Sequence, residues 1–290
     1  LDRIKAVLDH LVDQVLVQLL RLAGDAEGPV AQVTPRSPGD LADLGGVQPR
    51  VVEVRPALDR EAPRAFGLRA EQCVEAVSAG RTRSHGDALD LTALRVRSRS
   101  VSDAGMESIA QIKQLRTLAV EDSLALSDYG LEHLAALTEL DDLSVAQALN
   151  VTDAGLKHLA GLTNLRKLNL RRLGLNGDGL EHLEGLTELW TLDLGGTALS
   201  NESLAHLKQF PKLTRLNLMM TPINDAGVAE VGELTGLEWL SLHQTEITDD
   251  AVEHLAKLTS LAELDVSRTQ ITEAGLAKLR EALPKTRITH

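Results

Sequence analysis

The chain has 290 residues and a formal charge of −12, which argues against nucleic acid as a main partner, because phosphate binding needs a net basic surface or a concentrated basic stripe. The apolar fraction is 43%, yet aromatics supply only 2%, so the core has to be filled by repeated aliphatic layers, as in solenoids. The single cysteine, Cys73, rules out a disulfide framework within the chain and a cysteine-based metal site, and it suits a reducing, cytoplasmic location.

Residues 1–23 read as an amphipathic helix. Leu1, Ile4, Leu8, Leu11, Val15, Gln18 and Leu22 follow the three-four spacing of a coiled-coil seam. Val7, Val12, Leu16 and Leu19 widen that stripe beyond what a surface helix needs. A lone helix of this length is marginal in water, so it has to pack on the rest of the chain, on its own copy or on a partner. Ile4, Leu8, Leu11, Val15 and Leu22 are therefore the candidate oligomerisation or docking residues. Asp9, Asp13, Gln14 and Gln18 interrupt the segment, and no apolar run reaches the roughly 20 residues of a membrane span. The segment also lacks the basic head and cleavage site of a signal peptide. The chain begins at Leu1 rather than Met, so either a piece was removed or it is part of a longer product, and a lost targeting signal is compatible with the sequence.

Residues 24–65 have linker composition, with Gly24, Gly28, Pro29, Pro35, Pro38, Gly45, Gly46 and Pro49, and a possible short strand at Val51–Val54. Residues 66–90 read as an N-terminal cap, with a short helix over Ala70–Ala79 carrying Cys73, Val74 and Val77. Cys73 is read as a cap residue rather than a reactive thiol. Ser84, His85 and Asp87 have the residue types of a hydrolytic triad, but triad members are assembled in space rather than placed side by side.

From residue 91 to the end the chain repeats itself. Eight units start at Leu91, Leu115, Leu140, Leu165, Leu189, Leu213, Leu237 and Leu261, most of them 24 residues long, with one extra residue in the second and third. In the unit from Leu237, the alternation of Leu240 and Leu242 marks a short strand with one buried face. Ile247 turns the chain over the core, and Thr248 and Asp249 are good caps for a helix start. Val252, Leu255 and Leu258 then form one apolar helix stripe. One unit cannot bury its own apolar face, but stacked units can, with a parallel sheet on one side and helices on the other. Thr197, Thr221, Thr245 and Thr269 share one repeat position, where a hydroxyl would satisfy backbone groups at each turn. Thr286–Thr289 reads as a last half-strand.

These units resemble the leucine-rich repeat family, in the variant with Thr-Asp-Ala-Gly-Leu at the helix start. They are similar both to the cysteine-containing repeats of F-box substrate receptors and to bacterial repeat proteins. The bacterial type is closer, since no repeat carries cysteine and the chain ends in Leu283, Pro284 and Ile288 as such proteins do. The resemblance covers residues 91–290. It implies an α/β solenoid, with the sheet concave and the helices convex, and a protein-binding role.

No motif for chemistry is present: no Walker A loop, no His-Glu-x-x-His, no Cys-x-x-Cys and no nucleophile elbow. No catalysis, cofactor or metal is expected. His133, His158, His182, His206 and His254 recur at one helix position, but each belongs to a different unit, too far apart to share an ion. Asn150 and Asn201 start glycosylation-like sequons at repeat turns.

The concave strand positions are not dictated by the core, so their pattern carries the partner's requirements. Early units show Arg95, Arg97, Glu121, Asp122, Asp141 and Asp142, and the fourth is basic, with Arg166, Lys167, Arg171 and Arg172. Trp190, Met219, Met220 and Trp239 follow, rimmed by Arg171, Arg172, Arg215 and His243. Trp, Arg and Met are typical interface residues, and Gly195 and Gly196 leave room for a partner backbone. The expectation is a non-catalytic protein-protein scaffold or recognition subunit, binding a protein on the concave face of units four to seven and anchored through the N-terminal helix. The alternative is a sensor or substrate-receptor arm of a multi-component enzyme whose catalytic part lies in another chain or upstream. A hydrolase using Ser84, His85 and Asp87 is a weaker third reading.

Overall fold

The computed structural model describes Val33–Pro35, Arg50–Val54, Cys73–Ser78, Leu91–Arg97 and residues 101–290. The expected helix of residues 1–23, with Ile4, Leu8, Leu11, Val15 and Leu22, lies outside the described residues, as does the Ser84–Asp87 segment.

Among the described residues, twelve strands form one open sheet in chain order. They begin with β1 (Val33–Pro35), β2 (Arg50–Val54), β3 (Cys73–Ser78), β4 (Leu91–Arg97) and β5 (Thr117–Glu121). Seven strands of three residues follow: β6 (Asp142–Ser144), β7 (Lys167–Asn169), β8 (Thr191–Asp193), β9 (Arg215–Asn217), β10 (Trp239–Ser241), β11 (Glu263–Asp265) and β12 (Arg287–Thr289). From β4 onward every pairing is parallel and steps one repeat unit, as in Leu192↔Leu216 and Leu240↔Leu264. The expected last half-strand is β12, whose Ile288 packs against the core.

The expected helix over Ala70–Ala79 is replaced by β3. Its Val74 pairs with Val96 and its Ala76 with Leu94, antiparallel to β4. The physical reason is the sheet edge. The first unit's strand presents a row of unpaired backbone groups, which a neighbouring strand satisfies and a helix cannot. Antiparallel β2 and β1 extend the sheet further.

Each unit supplies one aliphatic layer. Leu115, Leu118, Val120, Leu126, Leu131, Leu134 and Leu137 have no exposed surface, and neither do Leu237, Leu240, Leu242, Ile247, Leu255 and Leu258. Each fully buried leucine is worth about 1.5–3 kcal/mol relative to exposure, so the layers supply most of the cohesion.

The Thr-Asp-Ala-Gly-Leu motif has a more specific role than local capping. Its threonine does cap its own helix: the Thr248 hydroxyl accepts from the Asp250 N–H at 3.2 Å. The aspartate instead serves the next unit. Asp225 accepts from the Thr248 N–H at 2.8 Å and from its hydroxyl at 2.7 Å. Asp103 treats Ser127 in the same way, Asp128 treats Thr152, and Asp249 treats Thr272. One hydroxyl thus donates backward and accepts forward, a combination only Ser and Thr offer at this size.

The motif glycine follows from the same contact. At Gly130 a Cβ would stand 2.6 Å from Asp103 Oδ1, and at Gly155 and Gly275 it would collide with Asp128 and Asp249. None of these glycines has the positive φ that would call for glycine on conformational grounds. They are glycine because a carboxylate lies against them.

The helical segments vary in winding. Asp103–Ile109, Asp128–Leu134, Asp225–Val231 and Glu273–Ala282 are α-helical. The fourth and fifth units form 3-10 helices at Asp178–Leu183 and Glu202–Gln209. There Gly177 stands at the aspartate position of unit four and Asn201 at that of unit five, so unit six receives an amide and unit five no carboxylate. Ser203 takes the place of its motif glycine, and a Cβ on Gly177 would collide with it. Ser203 is held by Ser200 of its own unit.

Two outcomes follow for stability. Gly155→Ala should cost about 2 kcal/mol or more in the native sequence and distinctly less in an Asp128→Ala background. Additive urea midpoints in that double-mutant cycle would contradict the contact. Hydrogen bonds from the Thr272 hydroxyl, and then from its N–H, hold the Asp249 carboxyl below its usual range. A depressed folded pKa gives stability that is present above the unfolded pKa, about 4, and is lost as pH falls through the folded value. Asp249→Asn should flatten the urea midpoint of the native chain in that acid window, and identical acid profiles would refute it.

Candidate functional site

The solvent face of the sheet is built from alternate strand positions, and the parallel register stacks equivalent positions into rows. The third position gives Asp142, Lys167, Thr191, Arg215 and Trp239 in one row. The fifth is occupied by Asn169, Asp193, Asn217 and Asp265, whose side chains accept from the N–H two residues on, at 2.9–3.1 Å. These turns end each strand after three residues. The seventh position carries Arg171, Gly195, Met219 and His243.

The eighth position turns the chain away from the sheet. Asp122, Gln147, Arg172, Met220, Gln244 and Arg268 have φ between 54° and 63°, and Gly196 has φ 70°. This left-handed turn points each eighth-position N–H at the next unit's seventh-position carbonyl, as in Arg172 to Gly195 at 2.9 Å and Met220 to His243 at 2.8 Å. The threonines expected to satisfy turn backbone do so within their own units. Thr221, Thr245 and Thr269 each donate at 2.7 Å to the carbonyl three residues back.

The sequence-predicted binding residues therefore fall in two rows. Trp190, Arg215 and Trp239 lie at the strand starts, while Arg171, Arg172, Met219, Met220 and His243 lie at the strand ends. Four residues of strand rise, about 13 Å, separate the rows. Trp190 and Met220 are the large apolar side chains of the patch that are most open, at 37% and 38%. The tryptophans are paired with cations: Lys167 Nζ stands 5.4 Å from the Trp190 ring centre and the Arg215 guanidinium 5.0 Å from that of Trp239. The space expected above Gly195 and Gly196 is already filled. A Cβ at Gly195 would meet Met219 Cγ at 2.9 Å, and one at Gly196 would meet Arg172 Cγ at 2.8 Å. Small residues here let neighbouring side chains fold inward over them.

A groove of about 520 Å³ lies over earlier units than expected, between Arg95 and Asp193. Its charges answer one another. Arg97 bridges Glu121 at 3.1 Å and Asp122 at 3.3 Å, the Ser144 hydroxyl donates to Glu121, and Lys167 stands 4.0 Å from Asp142. Burial pushes the Asp142 carboxyl above its usual range, and Lys167 and Arg95 partly offset this. The alternating signs at Arg95, Arg97, Glu121 and Asp142 were the sequence signal for this groove.

His243 Nδ1 lies 2.7 Å from the Ser267 hydroxyl, which itself donates to Asp265. Serine, not histidine, is central, and its proton is committed to the acid. This is not the geometry that activates a nucleophile. Among the described residues no group of three or more His, Cys, Asp or Glu side chains could hold a metal ion. His133, His158, His206 and His254 are half-buried and His182 is exposed. The Asn150 amide donates to the Leu124 carbonyl and Asn201 accepts from the Asn224 N–H, so both sequon asparagines hold adjacent units together. No helix among the described residues is long and apolar enough to cross a membrane.

Comparison with known proteins agrees with the architecture. Residues 211–232 match the family model described as Leucine Rich repeat. No curated protein matches. Among solved structures, the chain is similar to internalin InlF of Listeria monocytogenes, with 26% identity and a TM-score of 0.55 over 70% of this chain and 58% of that one. Internalin C2 of the same organism has 21% identity and a TM-score of 0.50 over 67% of this chain and 83% of that one. The chain thus spans little more than half the length of InlF.

The left-handed position offers a direct check on the turn. Gln244→Gly should stabilise the chain by about 0.5–1 kcal/mol, since it removes the Cβ penalty at a small entropic cost. Gly196→Ala should destabilise it by about 1 kcal/mol or more, because the added Cβ also meets Arg172. Calorimetric midpoints that move in the same direction for both would contradict this.

Proposed function

We propose that this leucine-rich repeat protein is a non-catalytic scaffold or recognition subunit that binds a protein partner on the sheet face of units four to seven. The carrying observation is the pair of cation-covered tryptophans, Lys167–Trp190 and Arg215–Trp239, on the same face as the second row that holds Met219 and Met220. The repeat core needs none of these side chains, because the leucines of each layer already close it. Trp and Arg are the residues that most often carry interface energy, and Met gives an adaptable apolar surface. The repeat architecture in general is that of a protein-interaction scaffold. The internalin likeness supports the same class of role and names no partner for this chain.

Residues 1–23 provide the second attachment point in this reading, through Ile4, Leu8, Leu11, Val15 and Leu22, toward another protein or a second copy. The absence of enzymatic activity belongs to the same proposal.

Affinity capture with the full chain, followed by titration of each captured protein, tests the reading. Trp239→Ala combined with Met219→Ala should weaken a sheet-face partner about tenfold or more while leaving the thermal midpoint within a few degrees. Removal of residues 1–48 should leave that partner bound and abolish a different contact. Unchanged affinity in the Trp239/Met219 variant would sink the placement of the site.

A further inference from the structure

We propose that the partner segment seated on units four to seven is a short, extended, acidic peptide, with carboxylates directed at Lys167, Arg171, Arg172 and Arg215. This rests on the sheet-face reading above and adds to it the chemistry of the partner.

Part of the chain's positive charge is already answered by its own acids. On other surfaces, some cations reach the acids of adjacent units, as Lys208 to Glu230 at 2.8 Å, Lys212 to Glu188 at 2.7 Å and Lys257 to Glu233 at 2.7 Å, and those without an ion pair are scattered rather than gathered on one face. In the groove of the early units, Arg97 is held by two carboxylates. By contrast, Arg171, Arg172 and Arg215 form no ion pair among the described residues, and Lys167 has only the 4.0 Å approach to Asp142. The Arg171 Nε is buried with no hydrogen-bond partner, and a buried donor left unmade is costly. A chain of net charge −12 has ample acid to neutralise these groups, yet it leaves them open on one face.

Geometry then limits the ligand. Stacking on Trp190 and Trp239 holds Lys167 and Arg215 in place, and both side chains are exposed. That pre-organisation lowers the entropy cost of meeting a carboxylate. Lys167 and Arg215 are two units apart, about 10 Å at the strand spacing. This matches three residues of a polyproline II segment at about 3.1 Å each, so acids at every third residue would meet both. The second row, Arg171 and Arg172, lies across the strands, where side chains of the opposite edge of the same peptide would reach it.

The length of the basic stretch argues for a peptide over a polynucleotide. Asp141 and Asp142 precede it, Asp193 within it accepts from the Gly195 N–H, and Glu238, Glu263 and Asp265 follow. A long polyphosphate would run onto those acids at both ends, whereas an acidic stretch of about five residues fits between them.

The test uses fluorescein-labelled peptides of about a dozen residues and the full chain, read by fluorescence anisotropy. One peptide repeats Glu-Glu-Phe, which puts acids on two of the three edges of a polyproline II turn so that both rows are met, and its partners carry Gln or Lys in place of Glu. The expected result is saturable binding of the Glu peptide alone, weakening as salt shortens the screening length. Arg171→Ala with Arg172→Ala, or Lys167→Ala with Arg215→Ala, should each lower affinity about tenfold. Because an alanine variant could lose fold, the charge-reversed chain Arg171→Glu with Arg172→Glu supplies a positive readout and should gain binding to the Lys peptide. Equal binding of the Gln and Glu peptides, both lost in the Trp239/Met219 variant, would overturn the acidic inference and leave the sheet-face site standing. No binding of the Glu peptide would overturn it, and so would tighter binding of an oligothymidylate of about the same length that displaces the peptide.

Discussion

The contact on which this solenoid depends is the carboxylate that one unit places at the helix start of the next. Apolar layers supply more free energy, but their attraction is non-directional and would tolerate sliding of one unit over another. The aspartate contact does not. Asp225 must meet both the N–H and the hydroxyl of Thr248, which fixes rotation and offset together. Three residue types in the motif then follow from one contact: threonine to donate and accept, aspartate to reach across, and glycine to leave space for the carboxylate. The second unit shows the order of priority. Its extra residue is accommodated before Ser127, so that Asp103 still reaches Ser127 N–H at 2.8 Å. The cost is a bulged loop that leaves Leu124 49% exposed, and the equivalent loop of the third unit leaves Leu149 61% exposed.

A second constraint acts on the opposite side of each strand. The left-handed residue at the eighth position costs roughly 1–2 kcal/mol when it is not glycine, yet six of the seven residues found there are not glycine. The turn persists because it satisfies an inter-unit N–H and is flanked by an Asx turn that has already ended the strand. Strands three residues long are thus a consequence of two turns closing in on them. With so little strand per unit, the sheet face offers few side chains from each layer, and recognition must be assembled from several units.

Much of this was legible in the sequence, because the repeat averages out local noise. The eight unit starts, the strand leucines, the helix stripe and the final strand are all periodic signals. What the sequence misassigned lies where periodicity stops. Residues 73–78 have no repeat partner, and their apolar spacing fits a helix as well as a strand. The open edge of β4 decides between them, and that is a tertiary effect. At Gly195 and Gly196 the missing side chains accommodate Met219 and Arg172 of adjacent units, which residue type alone does not reveal. The aspartate's true target was also hidden, because a cap on the same helix and a cap on the next unit leave identical residues in the chain. The two rows of candidate site residues were legible as positions, yet the distance between them was not.

The aspartate contact lapses in the same part of the chain as the basic and aromatic surface. Gly177 removes the carboxylate, Ser203 fills the vacated space, and the helical segments of units four and five wind as 3-10. Asn201, an amide at the same position, accepts from the Asn224 N–H at 3.1 Å, and the carboxylate returns with Asp225. Compensation within one neighbouring pair shows how the architecture tolerates change: a unit may depart from the motif if the next unit departs with it. Sheet-face positions carry no such obligation, since their side chains point away from both core and helix start. Arg166, Lys167, Arg171 and Arg172 could therefore accumulate in one unit without any change in Leu165, Leu168 and Leu170 beneath them, all of which remain buried. Alternation along a three-residue strand separates the residues that hold the stack together from those free to recognise a partner.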